Sequence, residues 1–407
     1  MKSHRLFWML IPALLALFLT GSVQAQGEDP IRQVEVDYRF GETLIFRAEE
    51  AVDQPVQEVL LILEVPGTPP FTGAANLSPE GEIHFTYNLA QRPLPPFVTV
   101  TYQYRLILES GEELTSASYS FSYHDNRMDW KVLEEGDFSI YWYQGDLPFA
   151  RQAANAAQKG RTRILELLQQ PDLERPIDIY LYASDQDLEA TLAVTVASWA
   201  SGHAQPELGS VVVSLPPGPD QALEIQQQIP HEIAHIALYR FMGSEYQYLP
   251  AWVSEGIASQ MEFFPRPEYE IRLEKANQAG ELIPLAQLCQ AMPTDPDQAV
   301  LAYAQADGVL EFIRQEYGVT AVQAMIAAYD RGVGCERGVE IALGFGLNTL
   351  EREWARWEFA NPRLSGVRLL FLPWVVVTGL IAVPLLGIYF LRLYLQRDQD
   401  ASEENHE

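Results

Sequence analysis

The sequence predicts a multidomain protein with an all-β sandwich, then a mixed α+β domain, then one transmembrane helix. Apolar and polar residues alternate over residues 34–123, helical apolar spacings and short strand-like runs follow up to about residue 360, and residues 369–391 form an uncharged apolar segment. A length of 407 residues also allows two or three domains. The predicted segments are 1–25, 26–126, 127–362, 369–391 and 392–407.

The first segment has the pattern of a secretory signal. Lys2 and Arg5 precede an apolar run from Leu6 to Leu19. A small-residue cleavage site, Val23-Gln24-Ala25, follows this run. We expect the segment to be removed, so that the mature chain begins near Gln26 outside the cytoplasm.

Residues 34–123 have the composition of short β-strands. Runs such as 59–63 and 83–87 are rich in β-branched and aromatic residues, and turn signals such as Pro66-Gly67 and Ser110-Gly111 separate such runs. This spacing favours an immunoglobulin-like sandwich. The sequence shows no catalytic or metal-ligating constellation in this domain, and it leaves open whether the domain positions the rest of the protein or binds a partner.

The next segment alternates strands and helices. We predict strands at 137–143 and 176–182, with a helix from Leu147 to Gln169 between them. A second helix is expected to have its N-cap at Ser184-Asp185. A short β-branched run, 209–215, comes just before the stretch that contains the candidate chemistry.

That stretch extends from Ile229 to Gln260. His231 and His235 are four residues apart, so on a helix their imidazoles project from one face and can hold one Zn²⁺. Glu232 lies beside the first histidine and is the candidate general base for an attacking water. Tetrahedral zinc needs a third protein ligand, and Glu255 follows twenty residues after His235 in a second helix-compatible run.

With these two motifs the chain resembles the gluzincin metallopeptidases, and it closely resembles the peptidase MA-like domains, whose second motif is similar to LPAWVSEGIAS here. The resemblance covers about residues 130–360. It implies an α+β gluzincin-like domain that uses one catalytic zinc ion to hydrolyse peptide bonds in a peptide or protein substrate. It assigns His231, His235 and Glu255 to the metal and Glu232 to the activation of water.

Two positions depart from the family pattern. Some gluzincins have an aspartate four residues after the third ligand that orients a histidine, whereas this chain has Ser259 there, so another group must accept that hydrogen bond. Pro230 precedes the first ligand and has no N–H to donate, which predicts that the helix either begins or kinks there.

The resemblance also implies what surrounds the cleft. The run 209–215 is expected to line it as a sheet edge, although a plain core strand fits the same residues. Tyr303 is the candidate to donate a hydrogen bond to the oxyanion, with Tyr246 and Tyr248 as rivals, and a core tyrosine without a catalytic role is the favoured alternative. His203 precedes the run 209–215 and could reach the cleft, but its interpretation as a loop histidine without a role is favoured.

The rest of this domain is predicted to be helical and to contain a disulfide candidate. Helical apolar spacings return at 297–317 and 320–331. The only two cysteines in the sequence are Cys289 and Cys335. An even cysteine count in an oxidising compartment favours a disulfide, and two buried thiols are the alternative.

Residues 369–391 predict a membrane anchor. The segment has 23 uncharged residues, and a helix needs about 20 apolar residues to cross a bilayer core of about 30 Å. Together with the secretory signal, it predicts a single-pass protein of the cell membrane whose catalytic domain is extracytoplasmic. The acidic tail, 392–407, is then cytoplasmic.

Composition and motifs together limit the function. The chain has 55 acidic and 27 basic residues and a net charge of −28, which excludes nucleic acid as a partner because the two would repel each other. The favoured hypothesis is an exported, membrane-anchored zinc peptidase. The alternative is a catalytically silent metallopeptidase-like domain in a cell-surface adhesion or scaffold protein.

Overall fold

The computed structural model describes residues 29–173, 176–192 and 202–360, with a few single positions between 374 and 384. The predicted signal, 1–25, and the acidic tail, 392–407, lie outside the described residues, and most of the predicted membrane helix, 369–391, also lies outside them. Within the described ranges, no helix is long and apolar enough to cross a membrane.

The N-terminal domain, as described from residue 29 onward, contains eight strands. They are β1 (Ile31–Arg39), β2 (Thr43–Glu50), β3 (Val56–Glu64), β4 (Phe71–Leu77), β5 (Glu82–Asn88), β6 (Val98–Leu108), β7 (Glu113–Thr115) and β8 (Tyr119–Tyr123). They pair antiparallel in the order β1-β2-β5-β4-β3-β6-β7, and β8 also pairs with β6. The all-β prediction is confirmed.

Strand β4 joins the two layers of this domain. Its residues 71–75 pair with β3, and its last two residues, Asn76 and Leu77, pair with β5. The layers therefore form a half-barrel rather than two separate sheets. The strand orders β1-β2-β5-β4 and β3-β6-β8 follow those of the two sheets of a constant-type immunoglobulin domain.

The second domain opens with a mixed sheet and two helices. Its elements are β9 (Lys131–Glu135), β10 (Phe138–Trp142), α1 (Leu147–Leu168), β11 (Ile177–Tyr182), α2 (Asp185–Leu192), β12 (Gly202–Gln205) and β13 (Ser210–Ser214). The strand order is β12-β13-β11-β10-β9, in which β10, β11 and β13 run parallel. Both helices begin where the sequence predicts, because Asp146 accepts the N–H of Phe149 and Ser184 accepts that of Asp187.

Strand β13 is not the edge of this sheet, so the expectation that residues 209–215 form the edge is wrong. All five of its residues are buried, and it pairs with β11 on one side and with β12 on the other. A continuous β-branched run such as Val211-Val212-Val213 is typical of strands that are covered on both faces. The outermost described strand on this side is β12.

The remainder of the domain is helical, as predicted. The helices are α3 (Gln221–Met242), α4 (Ala251–Met261), α5 (Pro267–Ala279), α6 (Pro296–Tyr317), α7 (Val319–Tyr329), α8 (Cys335–Leu343) and α9 (Leu347–Ala360), with 3₁₀ segments at Gly243–Tyr248 and Leu285–Cys289. The apolar faces of these helices meet the mixed sheet in one core, which contains Ile140, Ile233, Trp252 and Trp354.

An aromatic cluster joins the sandwich to the mixed sheet. Phe97, in the loop between β5 and β6, stacks on Tyr180 of β11 with ring centroids 3.6 Å apart. Asp125, just after β8, is fully buried and accepts hydrogen bonds from Tyr182 and Thr191 of the second domain. Because these buried polar groups are paired, they hold the adjoining end of the sandwich against the second domain.

Cys289 and Cys335 form a disulfide, as predicted. The bond connects the 3₁₀ segment Leu285–Cys289 to the start of α8, with the two Cα atoms 5.9 Å apart. It therefore links two parts of the helical half that are 46 residues apart in the sequence.

Replacing both cysteines by serine is expected to lower the free energy of unfolding by about 4 kcal/mol, because a loop of this length loses that much restraint in the unfolded chain. Urea unfolding of purified protein measures the change. The matched control is the reduced wild-type protein, which should show a similar loss. An unfolding free energy that equals that of the oxidised wild type would contradict the prediction.

Candidate metal centre

Two packed helices contain the predicted metal ligands. His231 and His235 lie within the buried part of α3, and Glu255 lies on α4. The segment Gly243–Tyr248 reverses the chain between these helices. Gly256, next to the third ligand, lets α4 approach α6 closely, because a Cβ there would come within 2.6 Å of a backbone carbonyl of α6.

The three side chains converge on one position. The Nε2 atoms of His231 and His235 lie 3.3 and 3.4 Å from Oε2 of Glu255. One donor atom from each residue lies within 4.8 Å of the others. A tetrahedral zinc ion with ligands at about 2.0–2.1 Å has ligand–ligand edges of roughly 3.4 Å. The two imidazoles and the carboxylate therefore fit a single zinc ion in spacing and in donor type.

Glu262 orients the first histidine. Its Oε1 lies 3.1 Å from Nδ1 of His231, and the Nε of Arg266 donates to the same carboxylate at 2.8 Å. The hydroxyl of Ser259 has no hydrogen-bond partner among the described residues. Glu262, just after α4 ends, thus supplies the acceptor that Ser259 does not, and it turns Nε2 of His231 toward the metal position.

Ser254 orients the second histidine. Its hydroxyl lies 3.2 Å from Nδ1 of His235, and the hydroxyl of Tyr246 lies 3.3 Å from that of Ser254. Tyr246 is therefore on the Nδ1 side of the ring, away from Nε2. The other rival tyrosine, Tyr248, has 44% of its surface exposed.

Pro230 lies inside α3, so of the two predicted alternatives, a helix start and a kink, the helix start is wrong. The proline ring removes the N–H that would bind the carbonyl of Gln226, and the N–H of Phe263 takes its place at 3.1 Å. This hydrogen bond ties the segment after α4 to α3. Pro230 thereby helps to fix the position of Glu262, the neighbour of Phe263.

Glu232 lies beside the three candidate ligands. Its buried carboxylate accepts a hydrogen bond from the backbone N–H of Ala204 on β12. A Cβ on Gly202 would come within 2.7 Å of the Glu232 Oε1, so a larger residue at this position would displace the carboxylate. Burial raises the pKa of Glu232 above its usual range, which suits a group that must take up a proton.

The candidate ligands shift each other's pKa values. Burial alone would lower the pKa of His231, but its hydrogen bonds with Glu255 and Glu262 raise that pKa to about 10. Burial alone would raise the pKa of Glu255, but His235 and His231 hold it well below its usual range. A metal ion that binds here must therefore displace a proton, so its affinity will fall at low pH.

Tyr303 and His203 also lie near the centre. The ring centroid of Tyr303, on α6, is 6.4 Å from that of His231, and burial together with Glu255 raises the pKa of its hydroxyl, which therefore stays protonated. His203 lies on β12, so its interpretation as a loop residue is wrong. Burial and the nearby His235 lower the pKa of His203 to about 4, which leaves it neutral near pH 7.

Comparisons with known proteins give one family match and several similar structures. A family model of the peptidase MA superfamily matches residues 156–360, about half of the chain. The structure is similar to that of yeast LTA4 hydrolase in complex with bestatin, with 12% identity and a TM-score of 0.35 over 72% of this chain and 59% of that chain. It is similar to a Br derivative of BhCBM56, with 13% identity and a TM-score of 0.19 over 23% of this chain and 92% of that chain. No curated protein sequence matches the chain.

Proposed function

Because the chain belongs to the peptidase MA superfamily, we propose that it is a zinc metallopeptidase that hydrolyses peptide bonds. The observation that supports this most directly is the convergence of His231, His235 and Glu255 on one zinc-sized position. Glu232, the proposed general base, is adjacent to that position without being one of the three donors.

Each residue then has a separate task. A bound zinc ion would supply Lewis acidity for the scissile carbonyl and lower the pKa of a water. Glu232 accepts a proton from the attacking water and later gives it to the leaving amine. Tyr303 donates a hydrogen bond to the oxyanion that develops on the carbonyl. Glu262 and Ser254 keep the histidine rings in the tautomer and orientation that bind the metal.

The substrate is proposed to be an extended peptide segment. Strand β12 is the outermost described strand of its sheet, and Glu232 contacts it directly. An edge strand can pair with an extended chain through backbone N–H and C=O groups, without a demand for particular side chains.

We further propose that the protein is exported and anchored in the cell membrane, with its substrate at the outer face. The sequence patterns of 1–25 and 369–391 support this topology, and a disulfide agrees with an oxidising compartment. Protease added to intact cells should digest the catalytic domain and spare the tail, 392–407. Digestion of the tail alone would show that the orientation is reversed.

Hydrolysis of an unstructured protein tests the proposed activity. Purified protein should cleave it, a chelator should abolish cleavage, and added zinc should restore it. Zinc-loaded protein that cleaves no unstructured protein would reject the proposal and favour the silent adhesion or scaffold protein.

Replacing Tyr303 by phenylalanine is expected to lower turnover by about 100-fold or more, the usual effect of losing one oxyanion donor. The zinc content should not change, because Tyr303 is not one of the three donors. Turnover numbers and metal analysis measure the two quantities. The control is Tyr248→Phe, which removes an exposed hydroxyl and should be neutral. Near-normal turnover in Tyr303→Phe would exclude this residue from the mechanism.

A further inference from the structure

A cavity of about 590 Å³ lies between the sandwich and the second domain. Pro66, Gly67 and Pro95 line it from two loops of the sandwich. Residues 203–208, which include most of β12 and the turn after it, line it from the second domain, together with Tyr239 and Tyr246. Neither domain alone encloses this space.

The cavity adjoins the metal centre. Two of its lining residues, His203 and Tyr246, are also neighbours of the second histidine ligand. The Tyr246 hydroxyl lies 3.5 Å from Nδ1 of His235, and the His203 imidazole interacts electrostatically with His235 and Glu255. Because β12 lines the cavity and also contacts Glu232, a peptide that follows this strand would pass both the cavity and the general base.

The lining indicates which side chain the cavity accepts. Most of the exposed lining surface is apolar, and the three prolines and Gly67 have no side-chain donor to offer. Glu207 is the one carboxylate, and the described lining residues include no lysine or arginine. An apolar side chain would lose water-exposed surface here, whereas an acidic side chain would meet the charge of Glu207 without a compensating cation.

Contacts with the second domain hold the sandwich side of the cavity, the wall formed by Pro66, Gly67 and Pro95, in place. Leu208, at the end of the lining segment, packs against the core of the sandwich. The stacked rings of Phe97 and Tyr180 fix the loop that contains Pro95. A wall that is already positioned loses little conformational freedom when a ligand binds. Burial of the ligand's side chain therefore contributes more fully to the binding affinity.

We propose that the sandwich forms one wall of the substrate cleft and that this cavity binds a bulky apolar side chain of the peptide substrate. The proposal rests on the proposed function for the identity of the ligand. It assigns the N-terminal domain to substrate selection rather than to binding a separate partner.

Peptide binding to zinc-loaded Glu232→Gln protein tests the proposal, because this variant should not consume the probe. The probes are fluorescent decapeptides of alanine, serine and glycine with a single phenylalanine, aspartate or serine at each position in turn. At one position phenylalanine should strengthen binding about tenfold or more over serine, as expected for burial of an aromatic side chain. Aspartate at that position should weaken it.

Pro66→Trp should remove this preference by filling the cavity from the sandwich side. The matched control is Pro79→Trp. Both prolines are exposed, and each occupies the second position of a four-residue turn. The N–H of Thr68 donates to the carbonyl of Val65 in the first turn, and the N–H of Gly81 donates to that of Ser78 in the second. Pro79 is at the opposite end of the sandwich from the cavity.

Pro79→Trp should keep the full preference for phenylalanine. Absence of any preference in the parent protein, or its persistence in Pro66→Trp, would overturn the proposal. Failure of the proposed function would appear separately, as a lack of hydrolysis of the same peptides by the wild-type protein.

Discussion

Replacing Glu232 by glutamine is expected to lower kcat for peptide hydrolysis by about 100- to 10,000-fold, the range of general acid–base catalysis. Glutamine has nearly the same shape, and its carbonyl oxygen can still accept the N–H of Ala204. It cannot take a proton from the attacking water. The fold and the zinc content should therefore be unchanged while hydrolysis collapses.

Single-turnover kinetics and metal analysis on the same preparation measure this separation. Glu274→Gln, the same substitution at an exposed position of α5, is the control and should match the wild type in both measurements. Loss of zinc from Glu232→Gln would show that Glu232 binds the metal. Unchanged hydrolysis would show that the general base is another residue.

The metal ligands could be predicted from the sequence because their geometry is local. His231 and His235 need only a helix to face the same way, and the second apolar run needs only to pack against the first to bring Glu255 close. The residues that orient these ligands by hydrogen bonds could not be predicted in this way. Glu262 reaches His231 only because α4 ends at Met261 and the chain after it turns back to α3.

Pro230 shows the same limit at a single residue. The local rule predicts a helix start or a kink because proline has no N–H. In the structure the carbonyl of Gln226 accepts the N–H of Phe263, which lies 37 residues later in the sequence, and α3 continues through Pro230. A rule that considers only one helix cannot find a donor on another segment.

The strands differ in predictability for a related reason. The sandwich could be predicted because alternating burial, as in β6, follows directly from alternating apolar residues. Strand β12, with the sequence Gly-His-Ala-Gln, has little intrinsic tendency to be extended and forms by pairing with β13. The place of His203 beside the centre and the contribution of β12 to the cavity both depend on this pairing.

Replacing Glu255 by glutamine is expected to weaken zinc binding more strongly than replacing a residue that only orients a ligand. The substitution exchanges the anionic donor for a neutral amide and removes the partner of both Nε2 atoms. Glu262→Gln leaves all three donors in place and alters the hydrogen bond to Nδ1 of His231 together with the ion pair to Arg266, so a loss of about 10- to 100-fold is expected.

Competition with a chelator of known affinity measures zinc binding in both variants without any use of activity. Glu255→Gln should lose more affinity than Glu262→Gln, and Glu232→Gln should lose none. If Glu262→Gln were the weakest binder, Glu262 rather than Glu255 would be the third ligand, since its carboxylate also lies within hydrogen-bond distance of His231. The expected order instead follows from the ring geometry, because Glu255 faces Nε2 of both histidines whereas Glu262 faces Nδ1 of one.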